Sequence, residues 1–423
     1  MSAAVLFGSF FVLLLLTVPI GYAIGLSSLI AIYFFSDIPL VIIAQKAITG
    51  VDSFPLLAIP FFMLAGNLMS GGGIAKRLVN FFDSLVGHLT GGLGMVTIIV
   101  CMFFAAISGS AVATVSAVGA FMIPEMVNHG YSKSFSAALT AAAGTIGVII
   151  PPSIPFVIYG VVSGTSITDL FTAGFLPGIM MGAALMVVCY LVSKKNGYGG
   201  KDHASSLREI WIAFKDAFWA ILSPVIILGG IYSGKFTPTE AAVISVVYSF
   251  IVGVFVYKEL NIKGAYKAFK DAIVVNGSTT FMVGFSTVFA AFLTMAQIPT
   301  MVANLILGIT DNKFMILLII NIFLLVVGMF IDNIPATIIL SPILLPICIG
   351  VGMHPVTFGI MLTMNLAIGF CSPPYGINLF VASSISKVPI EDMTKKILKP
   401  LLALLVVLLL ITYVPFLTEM FVK

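Results

Sequence analysis

GVIIPPSIP, residues 147–155, places three prolines in the middle of an apolar run that is long enough to cross a bilayer. A proline removes one backbone donor and clashes with the carbonyl four residues earlier, which costs about 3 kcal/mol in a helix interior. The adjacent Pro151 and Pro152 therefore predict a broken helix over residues 136–162. In hydrocarbon, unwound backbone is tolerated only where it lines a cavity or is buried in protein. We therefore expect the freed carbonyls of this break to serve a binding site.

The composition places the chain in a membrane. Of its 423 residues, 60% are hydrophobic and 9% are charged, whereas soluble domains contain about 45–50% apolar residues. A span takes about 20 residues, so the length allows on the order of ten spans and little extramembrane domain. The net charge of +4 comes without a basic cluster interleaved with aromatic residues, so no nucleic-acid partner is expected. Residues 5–17 lack the flanks of a signal peptide and are expected to form the first span.

Two apolar segments do not fit as single spans. Residues 91–128 and 313–350 are polar near their middles, at ISGSAVAT (107–114) and FIDNIPAT (330–337). Each segment is long enough to enter the membrane and return. We therefore predict two re-entrant helical hairpins.

The basic residues give one consistent topology. If residues 91–128 are re-entrant, the lysines and arginines of the loops fall on one side, which is the cytoplasmic side by the positive-inside rule. Both termini are then periplasmic, and the second hairpin opens from the opposite face. The basic positions that decide this are Lys76, Arg77, Lys133, Lys194, Lys195, Arg208, Lys258, Lys270, Lys387 and Lys399.

The chain contains an internal repeat. Gly147, Pro151 and Pro152 recur as Gly369, Pro373 and Pro374, each at an offset of 222 (373 − 151 = 222). Each half holds about five spans and one hairpin. Because five is odd, the second copy begins on the opposite side of the membrane and is inverted relative to the first. We therefore predict an all-α polytopic membrane protein of two inverted repeats. The repeats cover residues 1–192 and 218–423, with a cytoplasmic linker at 193–217 and a second broken helix at 357–383.

Polar residues at the two hairpin tips are candidate ligands. Ser108 and Ser110 offer hydroxyls, whereas Asp332, Asn333 and Thr337 offer carboxylate, amide and hydroxyl oxygens, which hard cations prefer. A carboxylate in an apolar segment is costly and by default functional, with a cation or proton as partner. Two alternatives remain open. The hydroxyls can bond back to their own helices, and Asp332 can lie solvated at the hairpin mouth or cap a half-helix.

Several longer stretches carry a family resemblance. Over essentially its whole length, the chain resembles the large membrane (M) subunit of tripartite ATP-independent periplasmic (TRAP) transporters. The motifs are SFPLLAIPFFMLAGNLM (53–69), SGSAVATVSAVGAFMIPEM (108–126), GTIGVIIPPSIPFVIYG (144–160), GGIYSGKFTPTEAA (229–242) and SPPYGINLF (372–380). The resemblance implies a sodium-driven, elevator-type importer of organic acids in the bacterial inner membrane. It also implies two partners, a small four-helix membrane subunit (Q) and a soluble periplasmic substrate-binding protein (P).

The resemblance also implies sites. One Na⁺ is expected at the first tip and first break, and a second Na⁺ at the symmetric pair. The residues carried over to site one are Ser108, Ser110, Gly144, Val148 and Pro151, and those carried over to site two are Gly328, Asp332, Thr337, Gly369 and Ser372. The substrate is expected between the tips, near Gly109, Ala111, Pro152, Ser153, Asn333, Ile334, Asn365 and Tyr375.

The sequence leaves the identity of the substrate undecided. It also leaves two other classes of protein to consider. Sialic acids and C4-dicarboxylates are both handled by the family. A stand-alone sodium/carboxylate symporter of the related divalent-anion fold would work without a binding protein. An intramembrane enzyme would need a metal site or a nucleophile paired with a base, and the sequence presents no such constellation.

Overall fold

Every regular element in the described part of the chain is a helix. The computed structural model describes residues 2–36, 39–201, 203–308, 310, 312–373 and 376–422. Nine helical segments in these ranges are long and apolar enough to cross a membrane, which confirms the all-α polytopic class. The helices are α1 (Ser2–Leu15), α2 (Ile20–Phe35), α3 (Val41–Val51), α4 (Ala58–Gly71), α5 (Ile74–Val86), α6 (Gly92–Ser108), α7 (Ala111–Asn128), α8 (Lys133–Gly144), α9 (Ile154–Ser163), α10 (Ile167–Asn196), α11 (Leu207–Tyr232), α12 (Pro238–Ile251), α13 (Ile262–Met295), α14 (Ile298–Leu307), α15 (Lys313–Phe330), α16 (Asn333–Gly350), α17 (Pro355–Gly369), α18 (Ile377–Ser386), α19 (Ile390–Tyr413) and α20 (Phe416–Glu419).

The order of helices repeats along the chain. Helices α6 to α10 recur as α15 to α19, and α7 and α16, both 18 residues long, begin 222 residues apart (333 − 111 = 222). One pair differs. In the first half Pro55 lies in a short 3-10 turn, Phe54–Leu57, that separates α3 from α4. In the second half the matching residue is Gly277 (277 − 222 = 55), which keeps its amide donor, so α13 runs on unbroken for 34 residues.

Both predicted breaks interrupt helices. After α8 the chain forms a 3-10 turn, Thr145–Val148, and α9 begins only at Ile154. In the second half α17 ends at Gly369 and α18 begins at Ile377. Pro374 of the second proline pair lies outside the described residues.

The two halves interlock around the breaks. Helix α7 packs on α18, and its counterpart α16 packs on α9. The Tyr159 hydroxyl of α9 donates to the Pro355 carbonyl of α17 at 2.7 Å. In the reverse direction, the Asn378 amide of α18 donates to the Ala141 carbonyl of α8 at 3.1 Å. We call these packed segments, residues 92–196 and 313–413, the hairpin unit.

Helices α1 to α5 and α11 to α14 form a second packed group. Helix α4 packs on α12, and its counterpart α13 packs on α2. Arg77 of α5 adds polar contacts: its guanidinium lies 3.2 Å from the Asp216 carboxylate, 2.7 Å from that of Glu259 and 3.9 Å above the Tyr257 ring. We call this group, residues 2–86 and 207–307, the outer unit.

The predicted linker is mostly helical. Helix α10 continues to Asn196, where Gly197 in the left-handed conformation (φ 72°) ends it. Helix α11 begins directly after Ser206, whose hydroxyl and the Glu209 carboxylate form a reciprocal capping box. Of residues 193–217, only 197–206 lie between helices, because polar residues extend both helices past their apolar parts.

Candidate substrate and cation site

A cavity of about 670 Å³ lies between the two units. Both hairpin tips line it from the hairpin unit, through Ser108, Gly109, Ser110 and Ala111 and through Asp332, Asn333 and Ile334. The structure therefore brings together two tips that are more than 200 residues apart in the sequence. Helices α4 and α13 close the cavity from the outer unit, with Met63, Gly66, Asn67, Ser70, Ala272, Val275, Thr279 and Met282.

The first tip is neutral and largely self-bonded. Gly109 turns the chain in the left-handed conformation (φ 60°), which suits glycine. The Ser110 hydroxyl caps α7 by accepting from the Ala113 amide at 3.4 Å. The Thr114 hydroxyl donates to the Ser110 carbonyl at 2.8 Å and lies 3.2 Å from the Ser108 hydroxyl. The tip thus presents a ring of oxygen atoms without a formal charge.

The first tip docks on the first break. The Ile154 amide donates to the Gly109 carbonyl at 3.3 Å. A Cβ on Gly147 would lie 2.7 Å from the Ser110 carbonyl oxygen, so only glycine permits this approach. Within the break, the Ser153 hydroxyl donates to the Val148 carbonyl at 2.6 Å. The same hydroxyl caps α9 by accepting from the Phe156 backbone amide at 3.3 Å. Because Val148 also lines the cavity, the break contributes directly to its wall.

The second tip carries the charge. Asp332 is the N-cap residue of α16 and is half-buried. It is the one ionisable side chain among the described residues that line the cavity, and no lysine or arginine accompanies it there. The buried Asn333 accepts from the Thr337 hydroxyl at 3.1 Å through Oδ1. Its Nδ2 has no hydrogen-bond partner in the described part of the chain, so one amide donor is left free at the tip.

The second break docks on its own hairpin through glycines. A Cβ on Gly369 would overlap the backbone of Gly328, so α15 and α17 cross in backbone contact. The Ser372 hydroxyl donates to the Ile368 carbonyl at 2.8 Å. The Phe370 carbonyl accepts from the backbone amide of Asn378 at 2.9 Å. Phe370 also lines the cavity.

The predicted site residues divide into two layers. Eight line the cavity directly: Ser108, Gly109, Ser110, Ala111, Val148, Asp332, Asn333 and Ile334. Nine others do not line it and lie in the tips, breaks and helices behind: Gly144, Pro151, Pro152, Ser153, Gly328, Thr337, Asn365, Gly369 and Ser372. Tyr375 lies outside the described residues.

Asn365, expected from the sequence to contact substrate, does not line the cavity and belongs to a buried polar network. Its Nδ2 donates to Asn321 Oδ1 and to the Met361 carbonyl, both at 2.8 Å. Asn321 in turn donates to the Leu317 carbonyl at 2.8 Å and to the Thr412 hydroxyl at 3.3 Å. The network ties α15, α17 and α19 together behind the second tip.

The outer wall of the cavity was missed at the sequence level. Asn67 and Ser70 supply its polar atoms from α4, and the Asn67 amide donates to the Ala268 carbonyl of α13 at 3.3 Å. Both residues stand in an otherwise apolar stretch, which is the signal that could have marked them. Without the packing of α4 on α13, however, the sequence does not show that they face the hairpin tips.

The arrangement suits a cation together with an anion. Hydroxyl oxygens, carbonyl oxygens and one carboxylate can hold a hard cation. The N-termini of α7 and α16 and the free Asn333 amide can face an anion. With no fixed basic side chain among the described lining residues, an anion in this cavity needs a bound cation to balance Asp332.

Comparison with known proteins identifies relatives over nearly the whole chain. The family model described as "Tripartite ATP-independent periplasmic transporter, DctM component" matches residues 7–417. The chain is 39% identical over 429 residues to the C4-dicarboxylate TRAP transporter large permease protein DctM of Rhodobacter capsulatus, covering 98% of this chain and 97% of that protein. It is 41% identical over 403 residues to the sialic acid TRAP transporter large permease protein SiaM of Vibrio cholerae, covering 95% and 94%.

Two further similar proteins differ from this chain in length or in sequence. The isethionate TRAP transporter permease protein DctMQ of Oleidesulfovibrio alaskensis is 47% identical over 411 residues, which are 97% of this chain but 65% of that protein. Among solved structures, the YdaH transporter of Alcanivorax borkumensis superposes with a TM-score of 0.64 over 89% of both chains at 12% identity. This similarity concerns the fold alone.

Proposed function

We propose, because this chain belongs to the DctM-component family of tripartite ATP-independent periplasmic transporters, that it forms the sodium-coupled import path for an organic acid anion. The observation that carries the proposal is the single cavity lined by both hairpin tips, with one carboxylate and no basic residue among its described lining. Sodium bound near each tip would supply the positive charge that an acid anion needs there.

Coupling to sodium has a clear energetic benefit. Each excess positive charge that moves inward gains about 2.3 kcal/mol per 100 mV of membrane potential. Two or more Na⁺ ions per monovalent anion would therefore draw the anion inward. The Na⁺ shells are proposed at the tips and breaks as expected from the sequence, with Ser108, Ser110 and Val148 at one and Asp332 at the other.

The substrate is proposed to be a small carboxylate or sulfonate. Relatives are named for sialic acid, C4-dicarboxylates and isethionate, and these are all acids. The buried Asn333 Nδ2 offers one free donor, and the N-terminus of α7 at Ala111 offers backbone amides in the same cavity. A planar carboxylate and a tetrahedral sulfonate can both accept from such donors.

The proposed mechanism is an elevator motion. The cavity lies between the hairpin unit and the outer unit, so movement of one past the other would carry the site across the bilayer. Inverted repeats would let the two tips exchange roles between the outward and inward states. The chain would do this in the bacterial inner membrane with both termini periplasmic.

Two partners complete the proposal. A small four-helix membrane subunit (Q) would pack against the outer unit, and a soluble periplasmic substrate-binding protein (P) would deliver the anion. The name DctMQ and the greater length of that relative support the involvement of a small-subunit component. The alternative is a stand-alone symporter of the related fold, which would need neither partner.

Uptake into proteoliposomes tests both candidates. The chain would be reconstituted with its proposed small-subunit partner, and the proposed binding protein would be added outside with labelled acid. We expect uptake to need both Na⁺ and binding protein and to stop when choline replaces Na⁺. Uptake that persists in choline would refute the coupling. Uptake that persists without binding protein would favour the stand-alone symporter.

A further inference from the structure

A second concave site lies where α8 and α19 begin. Its volume is about 400 Å³, and it is lined by Lys133, Ser134, Val388, Asp392, Lys395 and Lys396. The lining holds three lysines and one aspartate, so its formal charge is +2 (3 − 1 = 2). None of the three lysines forms an ion pair with any described acidic residue. The concavity is therefore positively charged and open to a ligand.

The backbone adds donors to this charge. Ser132 caps α8, and its hydroxyl accepts from the Phe135 amide at 3.3 Å. The amides of Lys133 and Ser134 precede the first intrahelical hydrogen bond and stay available at the positive end of the helix. Ammonium groups and free amides converging on one concave site are the donor set that a phosphate prefers.

The internal repeat allows the lysines of this site to be compared with the matching positions in the other half of the chain. The position that matches Lys133 in the second half is Pro355 (355 − 133 = 222), and Lys395 matches Thr172 in the first half (395 − 172 = 223). Asp392 matches Asp169 at the same offset of 223. The carboxylate is thus duplicated and the lysines are not. The lysines are consequently not required by the helix packing that the two halves share.

The surroundings point to a lipid rather than a free ion. Helix α19 is a candidate membrane span over Ile390–Tyr413. Leu398 and Leu402, in the turns that follow the lysines, are 50% and 61% exposed. A phosphate seated among the lysines would leave its acyl chains beside this apolar surface. Basic pockets on the cytoplasmic side of membrane helices are known to bind anionic headgroups.

We infer that the concavity formed by Lys133, Lys395 and Lys396 binds the phosphate of an anionic phospholipid from the cytoplasmic leaflet. The inference rests on the site and, for the choice of leaflet, on the topology predicted from the basic residues, and it does not depend on the transport function proposed above. The bound phosphate would receive hydrogen bonds from the lysines and from the first amides of α8. Its acyl chains would cover Leu398 and Leu402.

Lipid retention tests the site. The full chain would be purified from membranes, exchanged into a neutral detergent and titrated with phosphatidylglycerol or phosphatidylcholine, and bound lipid would be counted by native mass spectrometry. We expect wild-type protein to retain phosphatidylglycerol in preference, and the triple variant Lys133→Gln, Lys395→Gln, Lys396→Gln to lose at least about tenfold in apparent affinity. The preference for phosphatidylglycerol over phosphatidylcholine should vanish with it.

A matched variant separates a site from general surface charge. Lys263, Lys267 and Lys270 lie on α13 and do not line this concavity, so their triple change to Gln removes the same charge elsewhere. We expect that control to retain phosphatidylglycerol as wild type does. Equal loss in both triple variants, or full retention in the Lys133 variant, would overturn the inference. Competition of phosphatidylglycerol by millimolar inorganic phosphate at equal affinity would show a free-phosphate site and would also overturn it.

Discussion

The two hairpin tips have the same fold and different chemistry. The first tip holds its hydroxyls in a neutral network around Thr114, whereas the second carries Asp332 and an unpartnered Asn333 amide. Each tip docks on its own break through glycine. Duplication thus preserved a glycine at each break, Gly147 and Gly369, in close contact with backbone of its hairpin, while the ligands diverged. The glycines therefore define the architecture, and the tip side chains define what each site holds. The predictions below test that division.

The largest effect is expected at the charged tip. Asp332→Asn should lower sodium-driven uptake by at least about a hundredfold, because removing the charged partner of a poorly solvated cation costs about 3–5 kcal/mol. Ser110→Ala should lower it only about fivefold to tenfold, because a neutral hydroxyl ligand contributes about 1 kcal/mol. Initial uptake rates against Na⁺ concentration measure both. Equal losses in the two variants would show that the tips do not differ as described.

The next effect is expected where each break meets its tip. Gly369→Ala should impair uptake more than Gly147→Ala, since overpacking costs typically 1–3 kcal/mol and more where nothing can yield. A Cβ at Gly369 would overlap three backbone atoms of Gly328. A Cβ at Gly147 would lie farther from its neighbours, at 2.7 Å from both the Ser110 carbonyl oxygen and the Thr114 hydroxyl, and that hydroxyl can rotate away.

Surface expression and uptake of both glycine variants should be measured together. Gly277 of α13, which has no atom within 4 Å of an added Cβ, provides the control, and Gly277→Ala should act as wild type. Wild-type uptake by Gly369→Ala would mean that the crossing of α15 and α17 is looser than the structure shows.

A smaller effect is expected from the buried network behind the second tip. Asn365→Ala should lower the free energy of unfolding by about 1–3 kcal/mol, because it removes the 2.8 Å hydrogen bond to Asn321 Oδ1 and leaves that buried oxygen only the longer contact with the Thr412 hydroxyl at 3.4 Å. The first half has Ile99 and Ala143 at the matching positions (321 − 222 = 99; 365 − 222 = 143).

The double variant Asn321→Ile, Asn365→Ala copies that apolar pair into the second half. It should recover most of the stability lost in the single variant, since replacing both partners by apolar groups is nearly neutral. Thermal inactivation midpoints in detergent provide the measurement. A double variant less stable than Asn365→Ala alone would show that the network stabilises the protein beyond pairing its own polar groups.

The smallest effect is expected in the outer unit. Arg77→Gln removes contacts with Asp216 and Glu259, whose side chains are 54% and 43% exposed. Solvent screening limits such pairs to about 1 kcal/mol or less, so uptake should fall by at most about fivefold with an unchanged Na⁺ dependence. A changed Na⁺ dependence in this variant would place part of the coupling outside the hairpin unit.

The sequence predicted local features well and long-range ones poorly. The proline pairs, the polar tips and the repeat offset led to both breaks and both hairpin segments, because helix interruption is a local property. Asn365, which the sequence predicts to contact substrate, does not line the cavity and bonds to Asn321. A sequence indicates that a polar residue lies deep in a helix but not which neighbour its face meets. The outer wall at Asn67 and Thr279 depends on the packing of α4 on α13, which leaves no periodic signal.

Equilibrium binding of radioactive Na⁺ to the purified protein tests the central claim, that each hairpin tip with its break holds one cation. We predict two saturable equivalents for wild type and one for Asp332→Asn. The double variant Ser108→Ala, Ser110→Ala should also bind one equivalent at the Na⁺ concentration that saturates wild type. Two equivalents retained in both variants would contradict the account, because the cations would then bind away from the tips.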